Sequence, residues 1–419
     1  MTTPPTSEAR TSRDVSFTEF VLMCAALMAM NALSIDPMLP AFPQIAQDLA
    51  IPHANDRQLI ISIYFMGLGV GSLLFGVLSD RFGRKRVLGV SLILFVGATI
   101  ACASAASFAW LLAARALAGF FAGASRVIVV GIVRDRFQGD AMARVMSLIF
   151  TVFMIIPVLA PSFGQAILLI APWRWIFWIL AILASGVIVW MMLRLPETLN
   201  PENRLPISAS AIGRMARQIV TTRTTIGYMV ASGVMMSCII AFIVSVQQII
   251  YDIFDSASIF GIAFGVMAGC MGLGGLLNSR LVSRFGARRL SQGALIGLVL
   301  ISIVHLAVIW ARAESLVTFM VLQSLTMLAT AFTSANFSSI SMEPFAKGAG
   351  IASSFQAFLT TLISSLLGAM VGAAFNGTTL PLVYGQLCFG GGALLVVFWA
   401  ESGRLFTRPH HDALRKVEP

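Results

Sequence analysis

Charged side chains are scarce in this chain. Of its 419 residues, 11% are charged and 58% are hydrophobic, and the mean hydropathy is +0.89. Soluble domains carry about 25% charged residues, which keep their surfaces hydrated. The shortage of charge therefore excludes an ordinary soluble protein and indicates a chain that lies mostly within a lipid bilayer.

Motifs for catalysis or nucleotide binding are also missing. The five cysteines are scattered without a C-x-x-C pair, which is typical of small buried hydrophobes rather than of a metal site. Gly67, Gly69 and Gly71 lie in a hydrophobic stretch with no strand before them, so they indicate helix packing rather than a phosphate loop. His305 stands alone, without a nearby nucleophile or acid. We expect no enzyme, no ATP-driven pump and no metal or cofactor.

The net charge of +10 is distributed unevenly along the chain. If the breaks between hydrophobic stretches are loops, one side of the membrane holds only Arg57, Arg174 and Arg312, and nearly all other basic residues lie on the side of the termini. The positive-inside rule places both termini in the cytoplasm, where the basic residues meet anionic lipid headgroups rather than nucleic acid. Residues 1–16 are polar and include Glu8, so we expect no cleavable signal. We expect a monomeric, multi-pass membrane protein with both termini in the cytoplasm.

Twelve hydrophobic stretches approach the length of about 20 residues that a helix needs to cross a bilayer. They cover residues 17–37, 58–79, 87–106, 109–131, 143–166, 173–193, 224–247, 258–281, 290–311, 315–338, 348–372 and 381–402. The sequence predicts an all-α membrane protein with an N-terminal tail (1–16), a six-helix bundle (17–194), a linker (195–223), a second bundle (224–403) and a tail (404–419).

The two bundles share a repeated loop. Residues 76–86, GVLSDRFGRKR, match residues 279–289, SRLVSRFGARR, at Arg-Phe-Gly and at the basic end, but Ser283 replaces Asp80. The first copy resembles the loop between helices 2 and 3 of major facilitator superfamily transporters. That resemblance implies two parallel repeats of six helices, with a substrate site between them near the middle of the membrane.

Asp36 is the main candidate for chemistry in the membrane. Apart from Glu19 and Glu401 at helix ends, it is the only acid that the sequence places in or near a span. An ionised carboxylate at the bilayer centre costs about 2.5 to 3.5 kcal/mol on the insertion scale, so burial favours the protonated form. Arg115, in the outer part of the fourth span, opposes this effect if it lies at the same level. Asp36 either exchanges protons or, since Pro37 follows, merely ends the first helix. Asp36 and Arg115 together form either a proton-coupled site or a structural ion pair.

Further polar residues are predicted to line the substrate cavity. Arg126 follows Arg115 by eleven residues, which returns to within about 20° of the same helix face. Two arginines against one aspartate favour neutral, zwitterionic or anionic compounds, although Arg126 alternatively bonds to helix carbonyls or reaches towards the cytoplasm. Tyr64, Gln323 and Gln356 complete the predicted cavity. The two glutamines belong to polar stripes that either face water or hold helices together.

The opening loop also predicts a conformational latch. Asp80 would accept hydrogen bonds from the start of the eleventh span near Gly348, and Arg81 and Arg84 would bridge to Asp135. Such contacts would hold the two bundles together in the outward-open state. The alternative is a purely topological basic loop, which explains the arginines. It does not explain Asp80 or Gly83. Gly76 is also assigned to the latch.

Motifs along the chain narrow the resemblance to the Bcr/CflA drug-resistance transporters. They are IDPMLPAFPQIAQDL (35–49), RALAG (115–119), IVRD (132–135), PVLAPSFG (157–164), WRWIF (173–177), LPETL (195–199), MEPF (342–345) and GIASS (350–354). The resemblance implies export of drug-like compounds driven by proton entry. It implies that Asp36 carries the proton, that Arg115 modulates it, and that Pro157, Pro161 and Gly164 form a helix element associated with antiporters.

Two departures from the family pattern bear on substrate choice: Gln165 replaces a usual glycine and Ala118 stands where glutamine is common. The leading hypothesis is a proton-coupled antiporter of amphipathic small molecules. Export or symport of an endogenous metabolite is the alternative within the same class. A transport-inactive sensor or scaffold is the alternative from another class.

Overall fold

A computed structural model of the chain describes residues 15–137, 139–199, 202, 209–345 and 349–407. Within these residues the secondary structure is helical and includes fourteen α-helices. They are α1 (Phe17–Leu33), α2 (Phe42–Asp48), α3 (Leu59–Phe82), α4 (Arg84–Ala103), α5 (Phe108–Arg136), α6 (Gly139–Leu168), α7 (Arg174–Arg194), α8 (Ala209–Thr221), α9 (Arg223–Gln248), α10 (Phe260–Phe285), α11 (Ala287–Trp310), α12 (Leu316–Met342), α13 (Ala349–Ala373) and α14 (Leu380–Ala400).

The predicted all-α membrane fold is confirmed. Twelve helical segments of the described chain are long and apolar enough to cross a membrane, in the order that the sequence predicts. The linker between the halves differs from a plain polar connection, because α8 forms there. Met215 and Ile219, one turn apart on α8, pack with Phe345 of the second half.

The first span is broken rather than continuous. The helix α1 ends at Leu33, a 3-10 turn covers Asp36–Ala41, and α2 continues to Asp48. Pro37 and Pro40 lack the amide proton that an α-helix requires, which explains the break. All six residues of the turn are buried. The break therefore places irregular backbone inside the protein, where membrane proteins tolerate it.

The repeat of the sequence is also visible in the backbone. Gly83 separates α3 from α4 with φ of 99°, and Gly286 separates α10 from α11 with φ of 82°. Side chains rarely adopt this conformation, whereas glycine adopts it freely. Both repeated loops thus use glycine for the same sharp turn.

Helices of the first half approach each other closely through glycine. A Cβ atom at Gly119 of α5 would lie 2.0 Å from the Tyr64 carbonyl oxygen, and one at Gly71 of α3 would lie 1.9 Å from the Phe120 carbonyl oxygen. Two helices can come this close only where side chains are absent. Between the halves, α3 packs on α13 and α6 packs on α10.

Candidate transport site

Asp36 lies inside the protein at the start of the 3-10 turn. The residue is 5% exposed, and within the described chain its carboxylate has no hydrogen-bond or ion-pair partner. The helix α1 does end just before Asp36, as the helix-end interpretation requires. The polypeptide then continues through the 3-10 turn and α2 to Asp48 at the end of α2. There Arg174 pairs with Asp48 at 2.9 Å. Asp36 is thus a buried acid rather than an exposed helix end.

Arg115 lies beside the segment that carries Asp36. Its Nη1 donates to the Ser34 carbonyl oxygen at 2.9 Å, and its Nε donates to the Ile60 carbonyl oxygen at 3.2 Å. The guanidinium lies 4.2 Å from the centre of the Tyr64 ring. Its Nη2 is buried without a partner among the described residues. The contact with Ser34 agrees with the predicted common level of Arg115 and Asp36, but the structure contains no ion pair between them.

A polar network connects these residues to the rest of α5. The Tyr64 hydroxyl donates to Oδ1 of Asn31 at 3.4 Å, and Nδ2 of Asn31 donates to Oγ of Ser125 at 3.0 Å. Tyr64 is fully buried, so these contacts are removed from bulk water. Sequence reasoning missed Asn31, although an amide in the middle of an apolar span was a visible signal.

The helix element at Pro157, Pro161 and Gly164 packs directly on the Asp36 segment. Both prolines lie inside α6, and α6 contacts the 3-10 turn. A Cβ atom at Gly164 would lie 2.0 Å from the Pro37 carbonyl oxygen. The backbone next to Asp36 therefore rests against α6 with no room for a side chain between them.

Arg126 reaches across the two halves. Its Nη1 donates to Oγ1 of Thr361 on α13 at 3.0 Å, and the residue is half-buried. A Cβ atom at Gly69 of α3 would lie 3.3 Å from the Thr361 side chain, so three helices meet here. Sequence reasoning placed other polar residues of the eleventh span in the cavity and missed Thr361.

The two predicted cavity glutamines lie at contacts between helices of the second half. Gln323 and Gln386 exchange two hydrogen bonds at 3.1 and 2.8 Å, both amides being buried. Gln356 donates to Oγ of Ser338 at 2.9 Å. These contacts correspond to the helix-holding interpretation of the polar stripes.

The predicted latch residues form contacts mainly within the first half. Nη1 of Arg84 pairs with Asp80 at 2.5 Å and its Nε pairs with Asp135 at 3.0 Å, as the sequence predicts for Arg84. Arg81 is exposed, and its guanidinium lies 5.4 Å from the Phe82 ring centre. Its bridge to Asp135 in the outward-open state stays a prediction. Gly348, the predicted partner of Asp80, lies outside the described residues.

Gly76 does mark a contact between the halves. A Cβ atom there would lie 2.2 Å from Oγ of Ser354 on α13. We call the end of the molecule that carries Arg84 and Arg288 the basic end, and the other the opposite end. Gly76 brings α3 against α13 in the part of the membrane nearer the basic end.

Glu197, which sequence reasoning did not assign to the site, holds the loop in place. Its carboxylate accepts hydrogen bonds from the backbone amides of Arg84 at 2.8 Å and Lys85 at 3.2 Å, at the start of α4. Gly83 is required beside it, since a Cβ atom there would lie 2.5 Å from Oε2 of Glu197. The sequence signal for Glu197 was the acid in the motif LPETL (195–199), but the sequence did not indicate that it binds the amides of Arg84 and Lys85.

The second half contains an equivalent charge cluster, although its loop lacks the acid. Arg288 pairs with Glu343 at 2.9 Å and with Glu401 at 2.7 Å. These acids follow α12 and α14, as Asp135 and Glu197 lie at the ends of α5 and α7 in the first half. The repeat thus extends to the charges, with Glu401 supplying the negative charge that Ser283 does not.

At the opposite end, polar side chains join the two halves. Gln58 bonds with Gln248, and Nδ2 of Asn55 donates to the carbonyl oxygens of Ala373 and Phe375 at 3.0 and 2.9 Å. A cavity of about 540 Å³ adjoins this contact and is lined in part by Asn55 and Gln58.

Two further contacts at the opposite end connect the halves. Arg57 pairs with Asp252 at 3.4 Å. Gln165 bonds with the Ala257 carbonyl oxygen at 2.9 Å and with the Gly261 amide at 3.1 Å. Gln165 is one of the two departures from the family pattern, and here it connects α6 to Ala257 before α10 and to Gly261 within α10.

His305 is not alone, which corrects the interpretation of the sequence. Its buried ring bonds through Nε2 to Glu314 at 2.9 Å, and Glu314 accepts a hydrogen bond from Thr379 at 2.6 Å. Glu314 lies in the loop between α11 and α12, so Asp36 and the acids at helix ends are not the only acids near a span.

Comparisons with known proteins agree with this architecture. A family model described as Major Facilitator Superfamily matches residues 21–369. The chain is 30% identical over 380 residues to the uncharacterized MFS-type transporter YdgK of Bacillus subtilis, covering 87% of this chain and 93% of that protein. It is 26% identical over 373 residues to a bicyclomycin resistance protein homolog of Haemophilus influenzae, covering 87% and 92% of the two chains. A crystal structure of a D-xylose-proton symporter superposes with a TM-score of 0.69 at 15% identity, covering 94% of this chain and 99% of that one.

Proposed function

Because this chain belongs to the Major Facilitator Superfamily and is a transporter rather than an enzyme, we propose that it exports drug-like amphipathic small molecules in exchange for protons by alternating access. The relative named for bicyclomycin resistance supports a drug-like substrate and agrees with the Bcr/CflA resemblance of the motifs. The observation that carries the proposal is Asp36, a buried acid without a partner among the described residues.

Asp36 is suited to bind and release a proton. A buried carboxylate without a counter-ion is more stable in its protonated form, whereas a nearby cation or water stabilises the ionised form. Arg115 is attached to the backbone at Ser34, and its Nη2 has no partner among the described residues. A conformational change that brings this guanidinium to Asp36 would stabilise the ionised carboxylate. Protonation of Asp36 therefore depends on conformation, as coupling requires.

Substrate and proton act on the same equilibrium, between a form open to the cytoplasm and a form open to the outside. In the proposed cycle a proton from outside neutralises Asp36 and favours opening to the cytoplasm, and substrate arriving there favours release of the proton. The contacts of Asn55, Gln58 and Arg57 close the opposite end, which corresponds to the outside if the basic end faces the cytoplasm. We place the protein in a bacterial inner membrane in that orientation, with the lipid bilayer, the substrate and protons as its partners.

The experiment is proton release in proteoliposomes that contain the purified protein, with chloramphenicol, ethidium and 2-naphthoate as neutral, cationic and anionic probes. Wild-type protein should release protons when a transported probe is added, and Asp36→Asn should lose this signal by at least about tenfold, because an amide cannot exchange a proton.

The matched control is Asp48→Asn, which removes an acid at the end of α2 that pairs with Arg174 on the surface. It should keep the proton signal within about twofold, since exposed pairs contribute little. Undiminished proton release by Asp36→Asn would overturn the proposal.

A further inference from the structure

Among the described residues, Arg126 has no ion-pair partner, and its one hydrogen bond goes to Oγ1 of Thr361. Asp80 on α3 and Asp135 on α5 both pair with Arg84 instead. A charge taken out of water without a partner is costly, so such residues usually serve a function.

The arrangement leaves hydrogen-bonding capacity unused. A guanidinium has five N–H donors in a planar fork that matches a carboxylate. Thr361 accepts one of them, and its own hydroxyl proton has no acceptor among the described residues. Arg126 is half-buried, which leaves part of its surface accessible between the halves. The remaining guanidinium hydrogens and the Thr361 hydroxyl proton are therefore donors without an acceptor among the described residues.

The interior of the described spans carries a net positive charge when all three of its charged residues are ionised. Of the charged residues deep in the described spans, Arg115 and Arg126 are positive and Asp36 alone is negative. Neither arginine has an ion-pair partner among the described residues, and an acidic group on the substrate would supply the missing negative charge.

We infer that the transported compounds carry an anionic group such as a carboxylate, which Arg126 of the first half and Thr361 of the second half bind together. This deepens the proposed export function by naming the substrate class at the same site. Since the two residues belong to different halves, an anion bound between them favours the form in which these halves are close. The site therefore selects for charge and couples binding to the approach of α5 and α13.

The test is calorimetric binding of two matched probes, 2-naphthoate and its neutral counterpart 2-naphthamide, to the full chain in lipid nanodiscs. Wild-type protein should bind the carboxylate at least about tenfold more tightly than the amide. Arg126→Gln should weaken carboxylate binding about tenfold while amide binding changes by less than about twofold. Arg126→Lys should restore most of the carboxylate affinity, because it restores the charge.

The control is Arg312→Gln, which removes an exposed arginine in the loop between α11 and α12 and should leave both affinities unchanged. Equal affinity of wild-type protein for the two probes, undetectable naphthoate binding, or equal loss of both probes in Arg126→Gln would overturn the inference. If Arg126→Gln does not fold, the inference is tested by the preference of wild-type protein for the carboxylate and by the carboxylate affinity of Arg126→Lys.

The two proposals fail separately. If Asp36→Asn loses proton coupling but wild-type protein shows no preference for the carboxylate, only the anionic substrate class is wrong. If wild-type protein prefers the carboxylate through Arg126 but no probe, naphthoate included, causes proton release, the proton-coupled function is wrong and the anion site remains.

Discussion

Gly164 shows how one absent methyl group positions the proposed proton site. Gly164→Ala would place a Cβ atom 2.0 Å from the Pro37 carbonyl oxygen, so α6 must move away from the turn that carries Asp36. We expect a loss of about 1 to 3 kcal/mol of stability, as for other overpacked sites, and a strong decrease in transport. Thermal unfolding in detergent and proteoliposome transport measure the two effects.

The matched control for Gly164 is Gly97→Ala. Gly97 lies in α4, where an added Cβ atom meets nothing within 4 Å. Alanine is the better helix former by about 1 kcal/mol, so this variant should be as stable as wild type or more stable. If Gly164→Ala unfolds at the same temperature as Gly97→Ala, the close contact with Pro37 does not determine the position of α6.

Individual functional residues were easier to predict than their partners. Asp36, Arg115 and Arg126 are visible in the sequence because charge is rare in apolar spans. Their contacts depend on which helices are neighbours and on the direction of each side chain, and neither follows from spacing along one helix. Thr361 illustrates this limit, because its role depends on a residue of the other half.

At the level of elements, Glu197 attaches the end of the first half to the start of α4. Glu197→Ala would leave the amides of Arg84 and Lys85 without their acceptor and remove a negative charge from a helix N-terminus. We expect a loss of about 1 to 2 kcal/mol of stability and a looser loop. Thermal unfolding and hydrogen exchange of residues 83–88 measure both.

Glu197→Gln is the matched variant, because it keeps an acceptor oxygen and loses only the charge. It should fall between wild type and Glu197→Ala in unfolding temperature. An alanine variant as stable as wild type, with unchanged exchange at Arg84 and Lys85, would show that the loop is held by Arg84 with Asp80 and Asp135 alone.

The helices themselves were predictable, whereas their breaks were less so. Long apolar runs specify spans because the bilayer requires complete backbone hydrogen bonding. The 3-10 turn at Asp36–Ala41 was only partly visible, through its prolines, and the sequence analysis continued the first span to residue 37. The helix α8 was missed because its short amphipathic pattern lies in a polar segment and is stabilised by Phe345, far away in the sequence.

At the level of the whole molecule, alternating access requires the contacts at the opposite end to break in each cycle. Gln58 of the first half meets Gln248 of the second half there. In a variant without native cysteines, Gln58→Cys with Gln248→Cys should react with a short bifunctional thiol reagent, because the two side chains are in contact. Linking the halves at this end should abolish transport, and a cleavable linker should restore it on reduction.

A pair within one half provides the control for this experiment. Asp48→Cys with Arg174→Cys, whose side chains lie 2.9 Å apart at the same end, should also be linked but should keep transport, because both residues move with the first half. Unimpaired transport by the linked Gln58 and Gln248 pair would show that the halves do not separate at this end. Loss of transport in both linked pairs would instead show that the reagent acts by blocking the entrance. Inhibition confined to the pair that joins the halves therefore identifies separation of the two bundles, rather than access to the opposite end, as the step that transport requires.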